Sequence, residues 1–499
     1  MLKRLLILLL CCTCGVGVYA QTTLTRSIPG PFQEVPVASA AGPVDRETDH
    51  ATVAMNRQRD IAVAYHASRP DITGSGNMKQ VEVALFAWQG NEQWEHVDTV
   101  VVGAIGHDPL HYGKDFVKCE RPDIIAVGDR FFVVWTRRYQ GAEFQREPAV
   151  LECAWIGVDD VGDFAIYNND FPIGRGVPLD AHDSILGQRD FWVKDCAGVP
   201  DAVVLSGQGG AGQQEVAVIY PHQTEFTADP SGDRSFEQRL VTCSLDDQGH
   251  VARGDYKLLH TDIPFDGPMS PNLAVVPGLI LPDAAPSPET DAFWLAFEWQ
   301  TMEFGLEHGR VQLEYWQRVA GEWIRHDSVG FRSPTIPIFK SRLRRRPNLD
   351  SLPVPGQTPE AILAFNKVDP HPLPGADGST NVVLSEVQFD GQAITATSGN
   401  GTWWPNGSAF DDGKPVPMVS RPGSGLPTCF AGRTEDQIPG RTIIAENLME
   451  MDTGNFAMVA RPSVAYRFLP GAAFPDYVAM SLEKRLTPGG ILRVWIGVH

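Results

Sequence analysis

Two stretches of the chain, residues 346–365 (RPNLDSLPVPGQTPEAILAF) and 461–480 (RPSVAYRFLPGAAFPDYVAM), carry the same features in the same order without a gap. Each begins with an Arg-Pro pair, continues to a Pro-Gly turn at the same distance, and then enters a short apolar run. Self-similarity of this kind indicates a fold built from repeated units.

Looser copies of the unit occur elsewhere in the chain. Their starting residues are Asp49-His50, Arg121-Pro122, Pro200-Asp201, Pro271-Asn272 and Arg421-Pro422. The prolines from Pro122 onward recur about every 71 to 78 residues, with one shorter last interval. Between starts lie two further strands joined by a tight turn, as in residues 81–88 and 94–102.

Four short antiparallel strands per repeat predict an all-β fold, a β-propeller of seven four-stranded blades. Six blades is the alternative count. The last copy has only three strands, so we expect residues 32–37 to supply its fourth strand and close the ring. A β-sandwich or two stacked all-β domains would also show short strands and Gly/Pro turns, but the gapless pair and the even spacing favour the propeller.

Residues 1–20 have the features of a secretory signal peptide. Lys3 and Arg4 precede an apolar stretch, and Val18-Tyr19-Ala20 fits a cleavage site before Gln21. The sequence therefore predicts a secreted or periplasmic protein, with one propeller domain over residues 21–499 and no integral membrane segment.

Acidic residues exceed basic ones by 61 to 41, which gives a formal net charge of −20. This charge argues against a general nucleic-acid binder, because phosphates would be repelled from most of the surface. Any anionic ligand would require a locally basic face.

Five cysteines follow the predicted signal peptide, and an odd number leaves at least one thiol free. Cys119 and Cys196 precede the first strands of neighbouring repeats, so a bridge between them is conceivable. Cys153 and Cys243 occupy matching strands, and we expect them to be buried free thiols.

In an antiparallel blade the first strand begins where the second strand ends, so the loops there form one rim. Basic residues at these places predict a cationic rim for an anionic ligand, since arginine forks suit carboxylate and sulfate groups. The predicted substrate-binding residues are Arg69, Arg121, Arg137, Arg138, Arg346 and Lys367.

Three rim residues are candidate catalytic groups: His66, Tyr139 and His222. A histidine can act as general acid or base near neutral pH. Tyr139 follows Arg137 and Arg138, whose charges would lower its pKa and activate it. Alternatively, the histidines bond to neighbouring loops and the tyrosine is a packed aromatic ring.

His107 and His111 lie in a long insertion, residues 106–115, and could ligate a metal. Pro109 between them favours a loop over a helix, and the spacing suits metal binding only on a helix. We therefore expect no cofactor, with a metal ion as the minor alternative.

The architecture resembles the sialidase and Asp-box class of propellers. The Asp-box turn is altered here: Ser244-Leu245-Asp246 has its glycine one place late, at Gly249, and Trp94 and Trp323 retain the trailing aromatic residue. The contiguous Arg-Pro pairs echo the Arg-Ile-Pro element of that class, without a match that would assign its catalytic arginines to positions in this chain. The chain is also similar to propeller polysaccharide lyases in its rim His, Tyr and Arg residues.

These observations predict an exported propeller whose rim engages an acidic glycan or polysaccharide. As an enzyme it would be a polysaccharide lyase or a sialidase-like glycosidase. The alternative from another class is a noncatalytic carbohydrate- or protein-binding propeller, because this fold serves both roles.

Overall fold

The structure is a computed structural model, and it describes part of the chain. The described residues are 23–25, 32–38, 46–69, 79–105, 116–140, 149–159, 162–171, 174–179, 196–197, 200–205, 215–225, 234–261, 279–303, 306–331, 343–351, 356–369, 379–396, 416–418, 429–433, 441–444, 449–452, 458–467, 477–485 and 491–498. The predicted signal peptide, the loop with His107 and His111, and the repeat starts at Pro271-Asn272 and Arg421-Pro422 lie outside these residues.

The described residues are mostly β-strand, and none of them is helical. Within the described ranges there is accordingly no helix long and apolar enough to cross a membrane. The all-β prediction is confirmed.

Two short strands, β1 (Thr23–Thr25) and β2 (Gln33–Glu34), precede the repeats. Group 1 comprises β3 (Thr48–Met55), β4 (Ile61–Ser68), β5 (Lys79–Gly90) and β6 (Gln93–Gly103). Group 2 comprises β7 (Phe116–Val127), β8 (Arg130–Gln140), β9 (Ala149–Val158) and β10 (Phe164–Tyr167), followed by the short strands β11 (Val177–Pro178) and β12 (Cys196–Ala197). Group 3 comprises β13 (Asp201–Leu205), β14 (Glu215–Glu225), β15 (Arg234–Leu245) and β16 (Val251–Thr261).

Group 4 comprises β17 (Leu279–Pro286), β18 (Ala292–Glu303), β19 (Leu306–Val319) and β20 (Glu322–Phe331). Group 5 comprises β21 (Leu343–Asp350), β22 (Glu360–Asp369), β23 (Ser379–Phe389) and β24 (Ile394–Ala396). Group 6 comprises β25 (Val416–Met418), β26 (Cys429–Arg433), β27 (Arg441–Ile444) and β28 (Met449–Asp452). Group 7 comprises β29 (Met458–Arg467), β30 (Tyr477–Arg485) and β31 (Leu492–Val498).

Within each group, successive strands pair antiparallel in chain order. Strand β2 adds to group 7 by pairing with β31, so the N-terminal segment supplies a strand beside the C-terminal one. Strand β1 pairs with β6 at the outer edge of group 1. Groups 2 and 3 are joined into one sheet by β12, which pairs parallel with β9 and antiparallel with β14.

The first strands of the seven groups contact one another in a closed series. Strand β3 contacts β7, β7 contacts β13, and the series continues through β17, β21, β25 and β29 back to β3. Apolar side chains fill the spaces between groups: one cluster joins groups 1 and 2, and others join 2 with 3, 3 with 4, 4 with 5, and 7 with 1. This arrangement is consistent with a propeller.

A β-bulge interrupts the first strand at corresponding places. Arg121-Pro122, Arg346-Pro347 and Arg461-Pro462, three of the repeat starts found in the sequence, lie in such bulges. A proline suits this place because its missing N–H breaks no ladder bond. In group 4 the corresponding proline is Pro282, inside β17, rather than the predicted Pro271. The first described strand of group 6 is β25, and the predicted start at Arg421-Pro422 lies outside the described residues.

A polar residue after the bulge, or at the start of β13 in group 3, bonds the first strand of a neighbouring group. Asp123 accepts a hydrogen bond from the Ala202 N–H at 2.9 Å, and Asp201 accepts one from the Ala284 N–H at 2.6 Å. In the remaining pairs, too, the polar side chain of one group reaches the backbone of the next group in the series. Asp283 Oδ2 accepts a hydrogen bond from the Leu349 N–H at 2.5 Å, and Ser463 Oγ accepts one from the Val53 N–H at 3.1 Å. Thr52 Oγ1 donates to the Pro122 carbonyl at 3.4 Å. We call these contacts the inter-strand belt.

Aspartates also close turns between third and fourth strands. Asp246, the residue of the altered Asp-box motif, accepts hydrogen bonds from the N–H groups of Gln248 and His250 at 2.9 and 2.8 Å. Asp159 and Asp390 bond turn N–H groups in the same way in groups 2 and 5. The carboxylate satisfies turn donors that the hairpin leaves unpaired.

The belt predicts a stability defect for Asp283→Ala. The buried Leu349 N–H would lose its acceptor, and we expect the free energy of unfolding to fall by about 1–3 kcal/mol. Asp283→Asn retains an acceptor oxygen and should lose less. Urea unfolding would measure both, with Glu322→Ala as control, because that side chain is 79% exposed. Equal stability of Asp283→Ala and the control would contradict a bonding role for the belt.

Candidate functional site

The bulges of groups 1 and 2 place two residues in an unusual backbone conformation at the predicted rim. His50 has φ 51° and Arg121 has φ 54°. Left-handed φ values are uncommon outside glycine, and bulges at sheet ends redirect side chains. The N–H of each residue reaches a side chain of an adjacent group: His50 N–H donates to Glu483 at 2.5 Å, and Arg121 N–H donates to His66 at 3.3 Å.

His66 lies near the end of β4, opposite Asp49, and its side chain is 1% exposed. Its Nδ1 accepts the hydrogen bond from the Arg121 N–H. The neutral ring therefore carries its proton on Nε2, which donates to Asp49. Lys79 Nζ lies 3.1 Å from the same Nε2 atom. Both nitrogens of His66 are engaged, so the structure gives it a positioning role rather than an accessible catalytic one.

Burial lowers the pKa of His66 to about 4, and the hydrogen bond to Asp49 opposes this shift only in part. His66 is therefore neutral at pH 7. For Asp49, burial alone would raise the pKa, but hydrogen bonds and attraction from His50 and His66 outweigh burial and hold the pKa well below its usual range. The site thus contains a permanent carboxylate beside a neutral imidazole.

His50 is the histidine of this cluster that solvent reaches, with its side chain 30% exposed. Its Nδ1 lies 3.6 Å from Asp49 Oδ2, and its ring centroid lies 4.4 Å from that of His66. Lys79, 23% exposed, bonds Asp49 Oδ2 at 3.1 Å. Asp49 therefore supports both an imidazole and an ammonium group that face the rim.

Other cations flank this cluster, and they are paired with polar partners. Arg69 donates to Gln80 Oε1 at 3.1 Å. Arg138 pairs with Glu120 at 2.5 Å, and Lys118 lies 4.0 Å from the same carboxylate. Burial raises the pKa of Glu120, but Arg138 and Lys118 outweigh burial and lower it overall. The rim between groups 1 and 2 is therefore a mixed-charge surface, where the sequence predicted a cationic one.

Arg137 is buried away from this surface. Its Nε lies 2.8 Å from Glu152, and its Nη2 donates to the Gly174 carbonyl at 2.9 Å. Arg175 contacts the same buried carboxylate at 3.1 Å. This placement does not support the substrate-binding role predicted for Arg137, because a ligand would have to displace a buried ion pair.

The structure describes the remaining predicted site residues in less detail. His222 is buried in β14 of group 3, with its ring centroid 6.3 Å from that of Tyr220. Tyr139 lies in β8, Arg346 in β21 and Lys367 in β22, and their side chains fall outside the described residues. The structure thus brings His66 and Arg121 together, while His222 belongs to a different group.

Asp49, His50 and His66 place metal-ligand atoms within 4.8 Å of one another. Two contacts argue against a bound metal ion at this cluster. Lys79 already brings a positive charge to Asp49 and His66. His66 also presents Nε2–H to Asp49, because its Nδ1 lone pair accepts the Arg121 N–H, so Nε2 has no lone pair for a metal.

Sequence reasoning noted Asp49-His50 as a repeat start but assigned it no chemistry, and it missed Lys79 and Glu120. The available signal was the alignment of His50 with Arg121 at the start of a repeat. Lys79 carries no local signal, since only the pairing of Ser68 with Lys79 places it beside the end of β4.

No protein-family model and no curated protein sequence matches this chain. A solved structure of Trypanosoma rangeli sialidase is 10% identical, with 96% of this chain and 59% of that chain covered and a TM-score of 0.41. An α-L-arabinofuranosidase from Fusarium graminearum is 9% identical, with 95% and 98% covered and a TM-score of 0.37. A protein of unknown function from Dyadobacter fermentans is 10% identical, with 96% and 97% covered and a TM-score of 0.35. The chain spans less than two thirds of the sialidase it resembles.

The depressed pKa of His66 predicts acid sensitivity. Between pH 6.5 and about 4 the unfolded chain binds a proton at His66 that the folded protein does not, so stability falls as pH falls. The contribution reaches about 3 kcal/mol across this window. Urea unfolding from pH 7 to 4 should show a shallower pH dependence for His66→Gln than for the unmodified protein. His250→Gln, an exposed control, should leave the pH dependence unchanged; identical curves for all three proteins would contradict the prediction.

Proposed function

We propose that this chain is a seven-bladed β-propeller that acts on an acidic glycan at the rim formed by groups 7, 1 and 2. The closed series of contacts among seven first strands supports the blade number. The pairing of β2 with β31 supports closure by the N-terminal segment. The single observation that carries the site is the partly exposed His50, backed by an ionised Asp49 and adjacent to Lys79.

The proposed ligand is a glycan with carboxylate groups. Lys79 and Arg121 supply positive charge on a protein whose net charge is −20, so a carboxylate would be drawn to this place more than to the surrounding surface. Arg69, which bonds the neutral Gln80, adds a positive charge beyond the end of β4, whereas Arg138 in β8 is paired with Glu120. Their pairing with Gln80 and Glu120 fixes their positions, which limits the conformational freedom lost on binding.

The reaction that this geometry supports best is β-elimination from a uronate-containing polymer. Neutral His50 would take the proton next to the carboxylate carbon, while Lys79 and Arg121 stabilise the charge that develops on the carboxylate. The bond to the leaving glycosidic oxygen breaks as the carbon–carbon double bond forms; that oxygen takes up a proton from water, and His50 then releases its proton to the hydroxide that remains. Asp49 would stabilise the imidazolium form of His50 during the reaction.

Hydrolysis of a sialylated glycan is the second candidate. It would use Tyr139 as nucleophile, in place of the usual carboxylate pair. The support for this variant is the position of Tyr139 near the end of β8, at the predicted rim. We also propose that the protein is exported, on the basis of its first 20 residues.

Incubation of the purified protein with uronate, sulfated and sialylated glycans would test the proposal. New ultraviolet absorbance from the double bond is expected with uronate polymers. Released reducing ends or sialic acid without absorbance would indicate hydrolysis instead. If some glycan is retained while both signals stay flat, the protein is a noncatalytic binding propeller, and if no acidic glycan is turned over or retained, the proposed ligand class is wrong.

The proposal assigns proton transfer to His50. We expect His50→Gln to lower kcat on uronate polymers by about 100-fold or more, because glutamine has no imidazole to take up the proton. Lys79→Met should lower kcat and also raise KM for carboxylated substrates, because Lys79 both attracts the carboxylate and stabilises the charge that develops on it. His250→Gln, at the turn between β15 and β16, serves as control and should retain full activity. Full activity in His50→Gln would exclude it as the base.

A further inference from the structure

The thiols of Cys153 and Cys243 meet between groups 2 and 3. Their sulfur atoms lie 4.0 Å apart, although 90 residues separate them in the chain. Cys153 lies in β9 and Cys243 in β15, and both side chains are completely buried. They belong to the apolar cluster that fills the space between these two groups.

The third described cysteine has a different environment. Cys119 lies in the apolar cluster between groups 1 and 2, where its Sγ contacts the Ala104 carbonyl at 3.6 Å. Among the cysteines that the structure describes as buried, Cys153 and Cys243 are therefore the pair with adjacent sulfurs.

We propose that Cys153 and Cys243 form a disulfide during folding, which ties group 2 to group 3. The inference rests on the proposed export, since disulfides persist in oxidising compartments. A disulfide bond requires a sulfur separation of about 2.05 Å, so the two sulfurs must approach each other by about 2 Å.

The chemistry is an exchange with a disulfide-containing oxidant, such as oxidised glutathione or a thiol–disulfide oxidoreductase. One cysteine thiolate attacks the oxidant and forms a mixed disulfide with release of one thiol. The second cysteine thiolate then attacks the protein sulfur of that mixed disulfide. The product is the Cys153–Cys243 bond and a reduced oxidant with two thiols, and the two cysteines have each lost one electron and one proton.

The order of folding and oxidation matters for this bond. Burial raises the pKa of Cys153 well above its usual value, and contact with Cys243 adds to the effect. Because the thiolate is the reactive form, the folded, reduced protein should exchange slowly. Oxidation is therefore expected while groups 2 and 3 are still assembling, when both thiols contact solvent.

Refolding in a glutathione redox buffer would test the bond independently of glycan activity and of cellular location. The reduced, unfolded protein is diluted into this buffer, and remaining thiols are alkylated in denaturant and mapped by mass spectrometry. The expected product is a cross-linked peptide pair containing residues 153 and 243, with Cys119 alkylated. Adding reductant should lower the thermal midpoint by a few degrees, because the cross-link restricts the unfolded chain.

Cysteine variants distinguish the stabilising effect of the disulfide from that of two packed thiols. Cys153→Ala and Cys243→Ala should each abolish the effect of reductant on the thermal midpoint. The thermal midpoint of the double variant should be no lower than that of either single variant. Cys119→Ala, which also removes a buried thiol, should retain the cross-link and the effect of reductant. Alkylation of both Cys153 and Cys243 after oxidative refolding, or a cross-link to another cysteine, would overturn the proposal.

Discussion

The inter-strand belt is the interaction on which the arrangement of the groups depends. Apolar packing between sheets is non-directional and could tolerate sliding of one sheet against the next. The belt fixes that position, because side chains such as Asp201 and Asp283 accept a hydrogen bond from one backbone N–H of the neighbouring first strand. Ser463 and Val53 extend the same bond from the last group to the first, across most of the chain length.

The bulges that precede the belt residues of groups 1 and 2 also build the candidate site. They turn His50 and Arg121 to positive φ, so their N–H groups reach Glu483 and His66 of adjacent groups. Both ring nitrogens of His66, which lies in β4, consequently bond neighbouring strands: Nε2 bonds Asp49 of β3, and Nδ1 bonds Arg121 of β7. His50 has its backbone fixed by the same kind of bond, and its side chain remains partly exposed beside Asp49. His66 thus has structural contacts on both ring nitrogens, and the proposed chemical role falls to His50.

The sequence predicted the repeat well where its signal was local. Arg-Pro pairs marked bulges in groups 2, 5 and 7 because proline suits a position without a ladder hydrogen bond. The predicted starts at Pro271 and Pro422 lie outside the described residues, and the bulge of group 4 contains Pro282. For the site, topology correctly joined His66 with Arg121, but burial could not be read from composition. Arg137 and Arg138 are adjacent on β8 and therefore point to opposite faces, so one pairs with buried Glu152 and the other with Glu120 at the rim.

The central claim is that the His50, Asp49 and Lys79 cluster receives a carboxylated sugar. A crystal structure of the protein soaked with an oligouronate would test this claim most directly. The account predicts a sugar carboxylate within hydrogen-bonding distance of Lys79 Nζ or the Arg121 guanidinium, with the His50 ring facing the adjacent carbon. Oligouronate bound at another part of the protein, with this cluster unchanged, would contradict it.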